Sequence, residues 1–164
     1  MKALLLTLML SSAALAEETT FAVDPSDPAL QAATQEALTT LPTFLEQVVG
    51  PRGVAKDGAA IKACFQTGDT AHPSECFWFA PFILLPDGKI AGMSMNAGVY
   101  AKEIKADQAL NFDRTQVADW GWRPGDGKAW GEYTTRAIFA AEELDAAALL
   151  GLPFSDTPLP PEWK

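Results

Sequence analysis

From Asp27 the apolar positions recur at helical intervals. Leu30, Ala33, Ala37, Leu38 and Leu41 fall on one stripe, the mark of an amphipathic helix. Asp27 is placed to cap it, with Pro28 at the first helical position. Pro42 is expected to end or kink this helix. Phe44, Leu45, Val48 and Val49 then continue an apolar face in a second short helix, stopped at Gly50-Pro51. Beyond Gly58 the period changes. "AAIKACFQ" predicts a strand over 60–66. The continuous apolar run "CFWFAPFILL", 76–85, predicts a strand buried on both faces, with Pro81 at a bulge or an edge. "PDGK" is a tight turn, and "KIAGMSM" returns as the partner strand. "NAGVYAKEIKADQ" reads as a crossing segment with one helical turn near Tyr100. "ALNF" is a short strand. Residues 117–123 and 129–138 are expected to form an antiparallel hairpin over "PGDG". "AEELDAAALLG" predicts a final helix ended by Gly151, and "LPFSDTPLPPEWK" an extended, proline-rich tail.

The expected architecture is therefore α+β. An N-terminal helical segment packs on a bent antiparallel sheet, made of a meander plus a C-terminal hairpin, and a short C-terminal helix follows. One domain is expected over 27–151, with a mobile lead-in over 17–26 and the tail over 152–164.

The N-terminus changes the picture of where this domain works. "MKALLLTLMLSSAALAEE" has a positive residue, an apolar run and small residues at Ala14 and Ala16. That pattern predicts a secretory signal peptide cleaved after Ala16 and a periplasmic location. The apolar run is shorter than the roughly 20 residues a membrane span requires, so no span is expected in the mature chain. The formal net charge of −9 gives no electrostatic footprint for nucleic acid. Cys64 and Cys76 are the chain's two cysteines. In an exported chain a lone pair predicts one disulfide.

Standard catalytic chemistry finds little support. The single histidine, His72, lies in a turn-rich connector two residues from Ser74, poor geometry for a base and its nucleophile. The acids are too scattered for a metal site, and "GPRG" and "PGDGK" are turn glycines without phosphate-loop spacing. No metal and no cofactor are expected. Glu75, Asp119 and Glu132 could act as a carboxylate pair only if two of them converged.

The chemistry-bearing stretch is "DWGWRPGDGKAWGEYTTR", 119–136, which holds three of the five tryptophans. With "TLPTFL" at 40–45, Lys62, Glu75-Cys76-Phe77-Trp78, "DGKIAGMSMN" at 87–96, Asp119-Trp120, Gly127-Lys128 and Gly131-Glu132-Tyr133-Thr134-Thr135-Arg136, the chain resembles the YegJ-like bacterial family, a domain of unknown function. The resemblance covers roughly residues 35–140. It implies a small α+β domain and, for some members, export, with no established activity. Cys76 stands where that family carries a histidine. The departure favours a structural role for the position.

Trp120, Trp122, Trp130, Tyr133 and Arg136 are the candidate ligand contacts, because aromatic rings and a guanidinium can stack on and hydrogen-bond a sugar or a peptide. Asp119, Glu75 and Trp78 are expected to be structural, with Asp119 and Arg136 holding the hairpin through hydrogen bonds and at least one of Trp120 and Trp122 mostly buried as a core anchor. The function these residues favour is a non-enzymatic periplasmic binding or interaction module for an unknown protein or cell-envelope ligand. The alternative is a hydrolase of cell-envelope polymers working through paired carboxylates.

Overall fold

The structure is a computed structural model that describes residues 27–125 and 127–163. The expected signal peptide and lead-in lie outside these residues. Helix α1, Pro28–Val48, opens as its sequence dictates. The Asp27 carboxylate accepts hydrogen bonds from the backbone N–H groups of Ala29 (2.7 Å) and Leu30 (3.2 Å), and Pro28 supplies the first turn. Pro42 does not divide it; one helix of 21 residues runs through that position. Ala37, Leu41, Phe44, Leu45 and Val48 all lie buried on one side of it. Their burial on both sides of Pro42 outweighs the missing hydrogen bond. The Thr39 and Thr40 hydroxyls bond back to the carbonyls of Gln35 and Glu36 in the preceding turn.

Six strands follow: β1 (Ala59–Gln66), β2 (Ser74–Leu84), β3 (Ile90–Ser94), β4 (Ala109–Phe112), β5 (Val117–Trp122) and β6 (Trp130–Gly131). They form one antiparallel sheet in the order β4-β3-β2-β1-β5-β6. The first four make a meander. β5 then returns to the far edge of β1, pairing Ile61 with Trp120 and Lys62 with Asp119. Ile61, Ala63, Phe77, Phe79, Phe82, Ile90, Phe112, Val117 and Trp120 face the core beneath α1. The expectation that β2 is buried on both faces is corrected. Phe77, Phe79 and Phe82 are buried, whereas Cys76, Pro81 and Ile83 are exposed, because only one face of the sheet carries α1. Pro81 sits within a register shift between Phe79 and Phe82, as its chemistry requires in a strand interior to the sheet. The segment over 95–108 runs as turns and bends, without the helical turn expected near Tyr100.

Cys64 and Cys76 are cross-strand partners and form the expected disulfide, with Cα atoms 3.9 Å apart. Replacing both by alanine is expected to lower unfolding free energy by about 2–3 kcal/mol, from the closure entropy of so short a loop. Urea titration of the two proteins under identical buffer checks this; equal midpoints would refute it.

The second half of the expected hairpin is corrected. β5 and β6 pair only through Gly121–Gly131 and Trp122–Trp130. Glu132 then adopts a left-handed conformation (φ 54°), and helix α2, Tyr133–Ala141, begins. α3 (Ala146–Leu150) starts at the Asp145 side-chain cap and ends at Gly151, φ 76°. α2 packs on α1. Among the described residues no helix is long and apolar enough to cross a membrane.

Candidate functional site

Asp119 is the centre on which the motif residues converge. It is fully buried. Its Oδ1 accepts the N–H groups of Trp120 (2.8 Å) and Tyr133 (3.2 Å), and its Oδ2 accepts the N–H (2.7 Å) and hydroxyl (2.5 Å) of Thr134. A carboxylate from β5 thus caps α2 across the fold, meeting the N–H groups that a helix start leaves unsatisfied. Lys62 is Asp119's cross-strand partner, and its Nζ donates to Thr134 Oγ1 (3.2 Å). The Thr134 hydroxyl therefore links an ammonium to a carboxylate. Burial pushes the Asp119 carboxyl above its ordinary range, while the Thr134 hydrogen bonds and the Lys62 charge pull it back. Burial likewise lowers the Lys62 ammonium, against the attraction of Asp119 and Glu132.

The flanking glycines make this geometry possible. Gly131 has φ 67°, and a Cβ there would lie 2.4 Å from the Trp120 carbonyl oxygen. A Cβ on Gly121 would meet Glu132 Cγ at 2.9 Å. Glu132 is buried and forks onto Arg123 (Nε–Oε1 2.7 Å, Nη2–Oε2 3.1 Å).

Each sequence-derived candidate has a definite place. Trp120 is 0% exposed. Its ring stacks on Phe44 at 4.6 Å, and its Nε1 donates to the Ala37 carbonyl (3.2 Å) and Thr40 Oγ1 (3.0 Å). Trp120 is thus the buried core anchor expected of one of the two β5 tryptophans, and its place among the candidate ligand contacts falls away. Tyr133 is buried too, its hydroxyl 3.0 Å from Thr40 Oγ1, and burial raises its pKa. Trp122 is half-buried and stacks on Trp163 at 4.9 Å. Trp130 is half-buried on β6. Arg136 donates to the carbonyls of Gly131 (2.7 Å), Ala129 (2.8 Å) and Ser155 (2.8 Å) and to Ser155 Oγ (2.8 Å). These bonds occupy its guanidinium in holding main chain together. Glu75 receives the backbone N–H groups of Val99, Tyr100 and Ala101 at 2.8–2.9 Å.

The three signature acids thus each bind their own set of internal donors. His72 is exposed, stacked on Tyr100 at 3.8 Å, with Nδ1 3.5 Å from Asp69. Among the described residues no group of three or more His, Cys, Asp or Glu is placed to hold a metal ion. An open depression of about 510 Å³ lies between α1 and the chain at 157–159, with Tyr133 in its wall.

Lys62 and Thr134 were not among the candidate site residues. Lys62 is the single charge within an apolar strand, a signal visible in "AAIKACF". Thr134 carries no signal, since its role depends on a carboxylate fifteen residues away. On the sheet face opposite α1, Lys62 pairs with Trp78, its Nζ 5.7 Å from the ring centroid. The Met95 N–H bonds the Trp78 carbonyl (2.9 Å). By strand alternation Asp119, Lys62, Trp78 and Met95 form one row across that face. It runs from a buried carboxylate to an exposed thioether, with Met95 55% exposed.

The model of a bacterial family, domain of unknown function 2314, described as an uncharacterized protein conserved in bacteria, matches residues 27–146. The chain belongs to this family. No curated protein and no solved structure matches it significantly. The part that matches the domain 2314 family model contains Lys62, Trp78, Asp119, Thr134 and Arg136, and ends before the segment 152–163.

Proposed function

We propose that the protein is an exported, non-enzymatic binding module that meets a protein or cell-envelope ligand on the open sheet face around Trp78, Lys62 and Met95. The row Lys62–Trp78–Met95 carries this reading. It sets a cation beside an indole face and an exposed apolar side chain, on the face that α1 leaves uncovered. Such a surface stacks a ring or apolar group on Trp78, whose indole is backed by the Lys62 ammonium and flanked by the exposed Met95. Engagement of Glu75, Asp119 and Glu132 by internal donors favours binding over carboxylate-pair hydrolysis. Export rests on the signal-peptide pattern of residues 1–16, and the disulfide suits an oxidising compartment.

Two measurements test this reading. Intact mass of protein recovered from the periplasm should correspond to a start at Glu17; full-length chain in the cytoplasm would refute export. In pull-downs from periplasmic extract, Trp78→Ala should reduce retention of a captured partner at least tenfold, about 1.4 kcal/mol. Leu149→Ala, exposed on α3, should leave it unchanged. Equal loss with both variants, or none with Trp78→Ala, would refute the face.

A further inference from the structure

We infer that the edge of β6, with Arg136 and the half-buried ring of Trp122, is a receptor groove for an extended, proline-rich peptide carrying an aromatic anchor, and that the segment 152–163 occupies it in cis. This surface is separate from the row at Trp78.

The segment docks as a peptide ligand does. Phe154 forms a parallel bridge with Ala129. The Ala129 N–H donates to the Pro153 carbonyl (2.9 Å), the Ser155 N–H to the Ala129 carbonyl (3.0 Å), and the Gly131 N–H to the Pro158 carbonyl (2.8 Å). This is strand addition to an exposed sheet edge, the recurring way in which an extended peptide is captured. β6 is only two residues long and has β5 on one side alone, so its other edge is open to such a partner.

Side chains give the groove its selectivity. Arg136 holds Ser155 through both carbonyl and hydroxyl, and its guanidinium lies 4.6 Å from the Phe154 ring. Trp163 slots against Trp122 at 4.9 Å and Trp120 at 6.1 Å, and Pro160 is fully buried. Pro153, Pro158, Pro160 and Pro161 stiffen the segment, which cuts the entropy lost on docking. Proline-rich peptides enter aromatic-lined grooves for the same reason. Trp122 Nε1 is buried with no hydrogen-bond partner among the described residues, so the groove offers a donor that its resident leaves unused. Every receptor residue lies within 27–146, the part matched to the family, and the occupant lies outside it.

The test keeps the whole chain. A protease site is inserted between Gly151, an exposed left-handed turn, and Leu152, and the folded protein is cut. A fluorescent peptide of residues 152–163 is then added. The cut protein should keep its circular dichroism spectrum and take up the peptide at least tenfold more than the uncut protein. A peptide with Trp163→Ala should bind at least tenfold more weakly. Trp78→Ala in the receptor should leave uptake unchanged, which separates this groove from the proposed sheet-face site. Loss of the fold on cutting would overturn the proposal, since the segment would then be integral core. Absence of uptake by a folded cut protein, or equal uptake by the uncut chain or of a scrambled peptide, would also overturn it.

Discussion

Asp119→Ala is expected to lower unfolding free energy by about 3–5 kcal/mol, the usual cost of removing one partner from a buried charged network. The substitution strands the N–H groups of Tyr133 and Thr134 at the start of α2 and leaves Lys62 without its cross-strand carboxylate. Lys62→Met should cost less, because Asp119 keeps its backbone donors. The double variant should fall short of the sum of the two losses by about 0.5–3 kcal/mol, as residues of one network do. Denaturant titration of the four proteins gives the cycle. A loss under about 1 kcal/mol for Asp119→Ala would mean that α2 does not depend on its remote cap.

Trp120→Ala should cost about 3–5 kcal/mol, typical of deleting a large buried aromatic side chain. The indole fills the space between α1 and β5, stacks on Phe44 and spends its N–H on α1. Trp120→Phe should recover part of the loss by keeping an aromatic ring against Phe44 while giving up the hydrogen bonds. Thermal and chemical unfolding should rank the proteins wild type, Trp120→Phe, Trp120→Ala. A Trp120→Ala protein with near-native stability would remove the indole from the core's account.

What could be read in the sequence was whatever is decided locally. Asp27-Pro28 announces the helix start through cap chemistry that acts within three residues. The strands of the meander were legible from their apolar content, although the unbroken apolar run of β2 hid its exposed face, and the cysteine pair is local in sequence. The misread positions depend on partners far along the chain. "EYTTRAIFAA" carries β-branched and aromatic residues that suit a strand, and it has no side-chain cap of its own. It is helical because Glu132 turns the backbone through a left-handed conformation and Asp119 supplies the cap from β5. Pro42 stays within α1 because Leu41, Phe44, Leu45 and Val48 are held by the sheet, a tertiary term that local propensity does not contain. The candidate site followed the same division. The motif residues were visible as a group, and the burial expected of one β5 tryptophan is met by Trp120, whereas the burial of Tyr133 against α1 depends on a distant partner.

The place of β1 between β2 and β5 has a consequence for a chain made from its N-terminus. β2 follows β1 closely and covers one edge. The other edge waits until residue 122 has emerged. For that interval β1 is a row of free backbone donors and acceptors, the kind of template on which another copy can add. Lys62 interrupts the otherwise uncharged strand near its middle. A cation there disfavours pairing with an identical strand, because like charges would be brought together, and so it guards the open edge during synthesis. When β5 arrives, Asp119 comes to rest opposite the same residue. One lysine thus discourages the wrong neighbour early and receives the right one late.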